Sequence, residues 1–249
     1  MNKLLILFKA HDISSKTDYH NDLYNKLIQN HIKNIDQFDN VKTFFLFADP
    51  DLKQEEFIIN NSIFFKMNEN YHEALLYKII KGMYFFVKKS EYTHLFTANL
   101  STCVNAKRIL KMCDENPVKS KVGFFDKNSL ENHFNKKVDY NGNGYNFPSG
   151  AGCLYTKKAV KLILDRFENV KDNENFIEQY PQADDVFIGK VLHEISIKIQ
   201  KIDRIEINHP NFLNLDKIDK NTSHVRVKYS TNRKDEILAH EKIYSMFLQ

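Results

Sequence analysis

Tryptophan is absent from this chain of 249 residues, and glycine (7), proline (5) and cysteine (3) are scarce. So little glycine and proline excludes a collagen-like or low-complexity chain. The three cysteines, Cys103, Cys113 and Cys153, form no C-x-x-C pair, which excludes a zinc knuckle or dithiol redox motif. An odd, sparse set fits a reducing compartment in which thiols serve as small apolar residues. No apolar run is long enough to span a bilayer, so no integral membrane segment is expected. The opening stretch MNKLLILFK has a short apolar run that leads into charged residues without a small-residue cleavage site, unlike a signal peptide. It reads as a buried first strand, and the expected location is cytoplasmic. An excess of one charge is also missing, with 36 basic against 32 acidic residues and a net charge of +4. That balance excludes a dedicated nucleic-acid binder, which carries a basic stripe, and suits a small anionic ligand as well as an ordinary surface.

What is present is a 42% hydrophobic chain, enough for one sizeable core, and a single domain over 1–249 is expected. Leu4–Phe8, Val41–Phe47, His94–Thr97 and Val122–Phe125 read as strands. Phe57–Phe65 reads as extended and broken at Asn60–Asn61. Helical periodicity marks Asp18–Ile35, Tyr71–Lys88, Val104–Cys113, Lys157–Phe167, Asp185–Glu194 and Glu236–Phe247. Thr156 is placed to cap the fourth of these, its hydroxyl accepting a free N–H of the first turn. Helices alternating with short apolar strands predict an α/β fold, a Rossmann-like, mostly parallel mixed sheet flanked by helices. Ligands on such sheets bind at the carboxyl ends of strands. A site is therefore expected after Phe8, after Phe96 and around the glycines gathered between Gly142 and Gly152.

Two stretches there carry chemistry. In NFPSGAGCLYTKKAV (146–160), small residues allow a close backbone approach and free N–H groups can bind hydroxyls, although a tight turn before a helix needs the same glycines. In QADDVFIGKVL (182–192), adjacent carboxylates can remove a proton from an attacking hydroxyl, and they also suit the N-terminus of the following helix.

With YHEALLYKIIKGMY (71–84) and HLFTANLSTCVN (94–105), these stretches in order resemble the β1,3-galactosyltransferase and fringe-like group of GT-A glycosyltransferases. The helix resembles that group's Y-x-N-L-T-x-K-x-x-x-G-x-x-W pattern, with Tyr84 for the tryptophan. The second stretch resembles the strand and turn that carry three aspartates, but Asn99, Leu100 and Ser101 stand in their place. The glycine stretch resembles the group's sugar-facing loop, and Asp184-Asp185-Val-Phe-Ile-Gly its glutamate–aspartate or two-aspartate motif. A weaker likeness links SHVRVK (223–228) to a late histidine segment that contacts the diphosphate.

The resemblance implies a GT-A-like fold and transfer of a hexose or N-acetylhexosamine from a nucleotide sugar, a UDP-sugar by preference, to a glycan hydroxyl. It implies Asp185 as the base of an inverting reaction, and Ser149, Gly150, Ala151 and Asp184 near the acceptor sugar. Asn99 and Ser101 would touch the donor, and His224 its diphosphate, with Arg226 and Lys228 as counter-charges and His209 as a competitor. Lys9 and His11 are assigned to the donor only by their position after the first strand. The lost acids would have held Mn²⁺ or Mg²⁺. Either transfer is metal-independent, the favoured reading, or the chain is a silent nucleotide- or glycan-binding relative. A nucleotidyltransferase would put a phosphate-cradling glycine signature near the first strand, and Lys9–Lys16 has no glycine.

Overall fold

The first strand, β1 (Leu4–Lys9), is buried along its length, and its side chains alternate between two cores. Leu4, Ile6 and Phe8 join one apolar cluster, and Leu5 and Leu7 the other. Each such side chain, fully withdrawn from water, contributes about 2 kcal/mol. The computed structural model describes residues 2–10, 18–69, 73–89, 91–115, 123–125, 147–173, 183–197, 199–201, 204–208, 215–229 and 233–249.

Strand β1 pairs in parallel with β2 (Val41–Ala48) on one side and β5 (His94–Asn99) on the other. Beyond β2 lie β4 (Ser62–Phe65), parallel to it, and the edge strand β3 (Glu56–Ile59), antiparallel to β4. Asn60 turns that hairpin at φ 51°, the break expected from the asparagine pair. Beyond β5 lie β8 (Cys153–Thr156), β7 (Gly123–Phe125) and β9 (Ile199–Lys201). The sheet is mixed and largely parallel, and helices cover both faces.

One face carries α1 (Asp18–Ile35), α3 (Ala106–Glu115) and α6 (Asp235–Phe247), through Leu27, Ile109 and Ile243 among others. The other carries α2 (Glu73–Lys88), α4 (Lys157–Val170) and α5 (Asp184–Glu194), through Ile80, Ile163 and Phe187 among others. Thr156 caps α4 as expected, accepting the Ala159 N–H at 3.3 Å. No helix among the described residues is long and apolar enough to cross a membrane.

A small second sheet was not expected. It holds β10 (Arg204–Ile207), β11 (His224–Val227) and β6 (Thr102–Val104), with β11 central. Its sequences R-I-E-I and H-V-R-V alternate at the strand period. Ile207, Val225, Val227 and Cys103 go to the core, and Arg204, Glu206, His224 and Arg226 to the opposite face. Strand β6 also corrects one boundary. Val104 belongs to it, and α3 starts at Ala106, because Asn105 accepts the Arg108 N–H at 3.1 Å as a helix-capping side chain does.

Candidate active site

Strands β1 and β5 run parallel, so Lys9 and Asn99 are register partners at their carboxyl ends. The turn after β5, Leu100–Ser101, leads into β6, and β11 hydrogen-bonds β6. This brings residues from distant parts of the chain around one pocket of about 170 Å³. Its lining is Lys9, Tyr24, Leu75, Asn99, Leu100, Ser101, Arg226, Lys228 and Arg233.

Four of those nine side chains are cationic and none is a carboxylate. Arg233 is fixed by Glu236, a fully buried carboxylate that accepts from Nε and NH2 at 2.8 Å each. Its guanidinium also lies over the Tyr24 ring, 5.8 Å from the centroid. Arg226 donates to Glu206 at 2.8 Å. Lys228 makes no ion pair among the described residues, and partial burial with the nearby guanidiniums of Arg226 and Arg233 lowers its pKa. Carboxylates behind the lining pair with Lys9, Arg226 and Arg233, so the pocket presents cationic hydrogen-bond donors, Lys228 among them, a setting for an anion. It does not fit a divalent cation: hard cations take carboxylate and carbonyl oxygens, and here ammonium and guanidinium groups face inward. Among the described residues no three His, Cys, Asp or Glu side chains stand together as a metal site requires.

Beside the pocket, Lys9 turns to the face covered by α5 and meets Asp184 at 2.5 Å, both nearly buried. Burial alone would lower the lysine's pKa, but Asp184, then Asp185, holds it above the usual value. Asp185 follows in the first turn of α5 and accepts the N–H of Val186 at 2.9 Å. Burial, and then repulsion from Asp184, raise its pKa to about 6, against the opposing pull of Lys9 and the N–H groups of Val186 and Gly150. A carboxyl group poised there accepts a proton near neutral pH without being locked in either form.

The glycine turn closes this corner by its lack of side chains. A Cβ on Gly150 would lie 2.9 Å from Lys9 Nζ and 3.6 Å from Asp185 Oδ2. A Cβ on Gly152 would come within 2.7 Å of the His224 ring and 2.9 Å of Phe96. His224 is fully buried beneath that glycine, with Nδ1 2.9 Å from Ser223 Oγ. Burial, with Arg204 nearby, lowers its pKa to about 3, so the ring is neutral.

No family model matches this chain, and no curated protein matches it. Among solved structures it is similar to a glycosyltransferase involved in glycosylation of the major capsid of PBCV-1, at 11% identity, 96% of this chain, 99% of that chain and TM-score 0.48. It is similar also to galactosyltransferase LgtC in complex with donor and acceptor sugar analogues, at 13% identity, 98% and 95% coverage and TM-score 0.48. Mouse xyloside xylosyltransferase 1, apo form, is similar at 10% identity, 90% and 97% coverage and TM-score 0.46.

Of the residues singled out in the sequence, Lys9, Asn99 and Ser101 line the pocket together with Arg226 and Lys228. Gly150, Asp184 and Asp185 adjoin it through Lys9 and Asn99. Ser149 and Ala151 are buried at the turn, where Ser149 Oγ accepts from Ala151 N at 3.2 Å. His224, expected at the diphosphate, lies under Gly152 and outside the pocket's lining, as burial of a neutral ring requires. His11 and His209 lie outside the described residues. Tyr24, Arg204, Glu206 and Arg233 were missed. The alternation of R-I-E-I is a signal that could have shown the first sheet neighbour of Arg226; nothing local marks Arg233.

Proposed function

We propose that the chain is a GT-A-type glycosyltransferase that moves a hexose or N-acetylhexosamine from a nucleotide sugar, a UDP-sugar by preference, to a glycan hydroxyl. One observation carries this reading: at the carboxyl ends of β1 and β5, a pocket of four cations and no carboxylate stands next to a carboxyl group with a pKa near 6. The cations suit a diphosphate, whose negative charge grows as the sugar departs, and charged donors aimed at that charge stabilise the transition state. Asn99 and Ser101 supply uncharged hydrogen bonds to ribose or phosphate, and Tyr24 and Leu75 supply apolar surface. In the proposed step the acceptor oxygen bonds to the anomeric carbon, the bond from that carbon to the diphosphate oxygen breaks, and the acceptor's proton passes to Asp185. Inversion follows from this single displacement, in keeping with the motif order of the β1,3-galactosyltransferase and fringe-like group. Arg226, Lys228 and Arg233 do the charge neutralisation that carboxylate-held metal does elsewhere, so transfer is metal-independent.

A second reading, a nucleotide-binding relative without turnover, is favoured by Lys9: its tight pairing holds Asp184 away from any metal or sugar. Thermal unfolding against a panel of nucleotides and nucleotide sugars, in chelator and in Mn²⁺, separates the cases. A ligand at about a hundred times its Kd adds roughly 2.7 kcal/mol. The expected result is a stabilisation by UDP or a UDP-sugar that persists in chelator, with release of UDP when acceptor or water is present. A shift that needs Mn²⁺ overturns the metal-independent mechanism, and no shift with any nucleotide overturns the donor assignment. Binding without any UDP release selects the second reading.

A further inference from the structure

Glu206 stands on β10 directly opposite Arg226 on β11, and two residues from Arg204 on the same face of its own strand. Its carboxylate is shared: Oε1 accepts from Arg226 NH1 and Oε2 from Arg204 NH2, both at 2.8 Å. Arg204 in turn donates through NH1 to Ser149 Oγ at 2.5 Å. The guanidinium side chains are only 3% and 9% exposed, whereas Glu206 is 26% exposed. Glu206 therefore links two nearly buried cations.

Ser149 is the organiser of the glycine turn. Its hydroxyl accepts from Ala151 N, and its carbonyl accepts from Gly152 N at 3.2 Å and from the Cys153 thiol at 3.1 Å. The next residue, Gly150, lies against Asp185, whose Oδ2 would be 3.6 Å from a Cβ there. Hydrogen bonds thus link the anion pocket to the glycine turn through Arg226, Glu206, Arg204 and Ser149, and the turn's Gly150 packs against Asp185.

We infer that Glu206 is a positioning residue that couples filling of the anion pocket to the geometry of the Ser149–Gly152 turn. The inference rests on the pocket's reading as a diphosphate site. An anion at Arg226 takes up part of that guanidinium's hydrogen-bonding capacity and leaves Glu206 to Arg204 more fully. Arg204, fixed by Glu206 on one side, then holds Ser149 Oγ in one geometry, and the turn stiffens. Coupling of this kind is reciprocal, so loosening the turn weakens anion binding by the same factor.

Hydrogen exchange of the turn, followed by mass spectrometry on the full chain with and without saturating UDP, reads the coupling directly. UDP is expected to slow exchange of amides 150–152 by about fivefold or more in the wild type. In Glu206→Gln, UDP still binds through the remaining cations but the slowing disappears. Ser149→Ala, a small change outside the pocket, keeps the fold if Glu206→Gln does not, and it is expected to weaken UDP binding by about the same factor. UDP binding with an unchanged turn, equal slowing in Glu206→Gln, or full UDP affinity in Ser149→Ala overturns the coupling and leaves the transferase reading intact. If neither UDP nor pyrophosphate binds, the site's reading as a diphosphate pocket falls and the coupling falls with it.

Discussion

Asp185 is held between opposing demands. Its burial and the neighbouring Asp184 favour the protonated form, while Lys9 and two backbone N–H groups favour the carboxylate, and the balance lies at about 6. As a base it must be ionised to act, so kcat/KM is expected to rise through a single ionisation near pH 6 and level off above it. Asp185→Asn removes that ionisation and is expected to lower kcat by roughly 10²–10⁴ while UDP affinity is kept. The effect on stability has the opposite sign. A carboxyl group whose pKa is higher in the folded than in the unfolded chain stabilises the fold most below the unfolded value, and the contribution is lost as pH rises through 6. At pH 7 the asparagine variant is thus expected to be at least as stable as the wild type, which chemical denaturation would measure. Full activity in the variant, or a pH profile flat from 5 to 8 in the wild type, would remove Asp185 from the reaction.

At the scale of elements, the Asn99–Ser101 turn owes its place to two helices beneath it. His31 of α1 donates from Nε2 to the Leu100 carbonyl at 2.8 Å, and its Nδ1 accepts the Tyr244 hydroxyl of α6 at 2.6 Å. The same tyrosine oxygen accepts the Val104 N–H at 3.3 Å, so it ties α6 to β6 as well. Tyr244→Phe keeps the ring packing and removes only the oxygen, leaving a buried nitrogen and a buried N–H with lost partners. A loss of about 1–3 kcal/mol in urea unfolding is expected, with weaker UDP binding as the turn loosens. A variant as stable as the wild type would show that the clamp is dispensable. These supports explain what was legible beforehand. Strand β1 and helices α1, α2 and α4 announce themselves by apolar residues at the period of their own element, and Asp184–Asp185 by their place at the start of such a helix. Strands β6, β10 and β11 are only three or four residues long, which gives periodicity too little length to register, although β10 and β11 alternate polar with apolar side chains. The anion pocket was half visible for the same reason: Asn99 and Lys9 follow strands that were clear, whereas Arg233, Glu206 and Tyr24 join the site only through contacts distant in sequence.

Across the whole molecule, burial of neutral histidines makes the fold sensitive to acid. His31, His224 and His240 are all fully buried. Burial pushes His31 down to about 4 and His224 to about 3, and burial with the neighbouring His31 pushes His240 well below its usual value. In each case the folded pKa lies below the unfolded one, so their contribution is complete above about pH 6.5 and is lost as pH falls below it. Asp185 opposes them, because between its unfolded value and 6 the folded state holds the extra proton. Among these four groups the histidines take up protons on unfolding and Asp185 gives one back, so stability is expected to fall as pH drops from 6 to 5. Urea unfolding at a series of pH values measures this slope. His240→Phe, which has no ring nitrogen to protonate, is expected to lower it by about one proton, and Asp185→Asn to raise it by about one. A stability that is level from pH 7 to 5 would mean that water reaches the histidines and that the turn they support is more open than its packing implies.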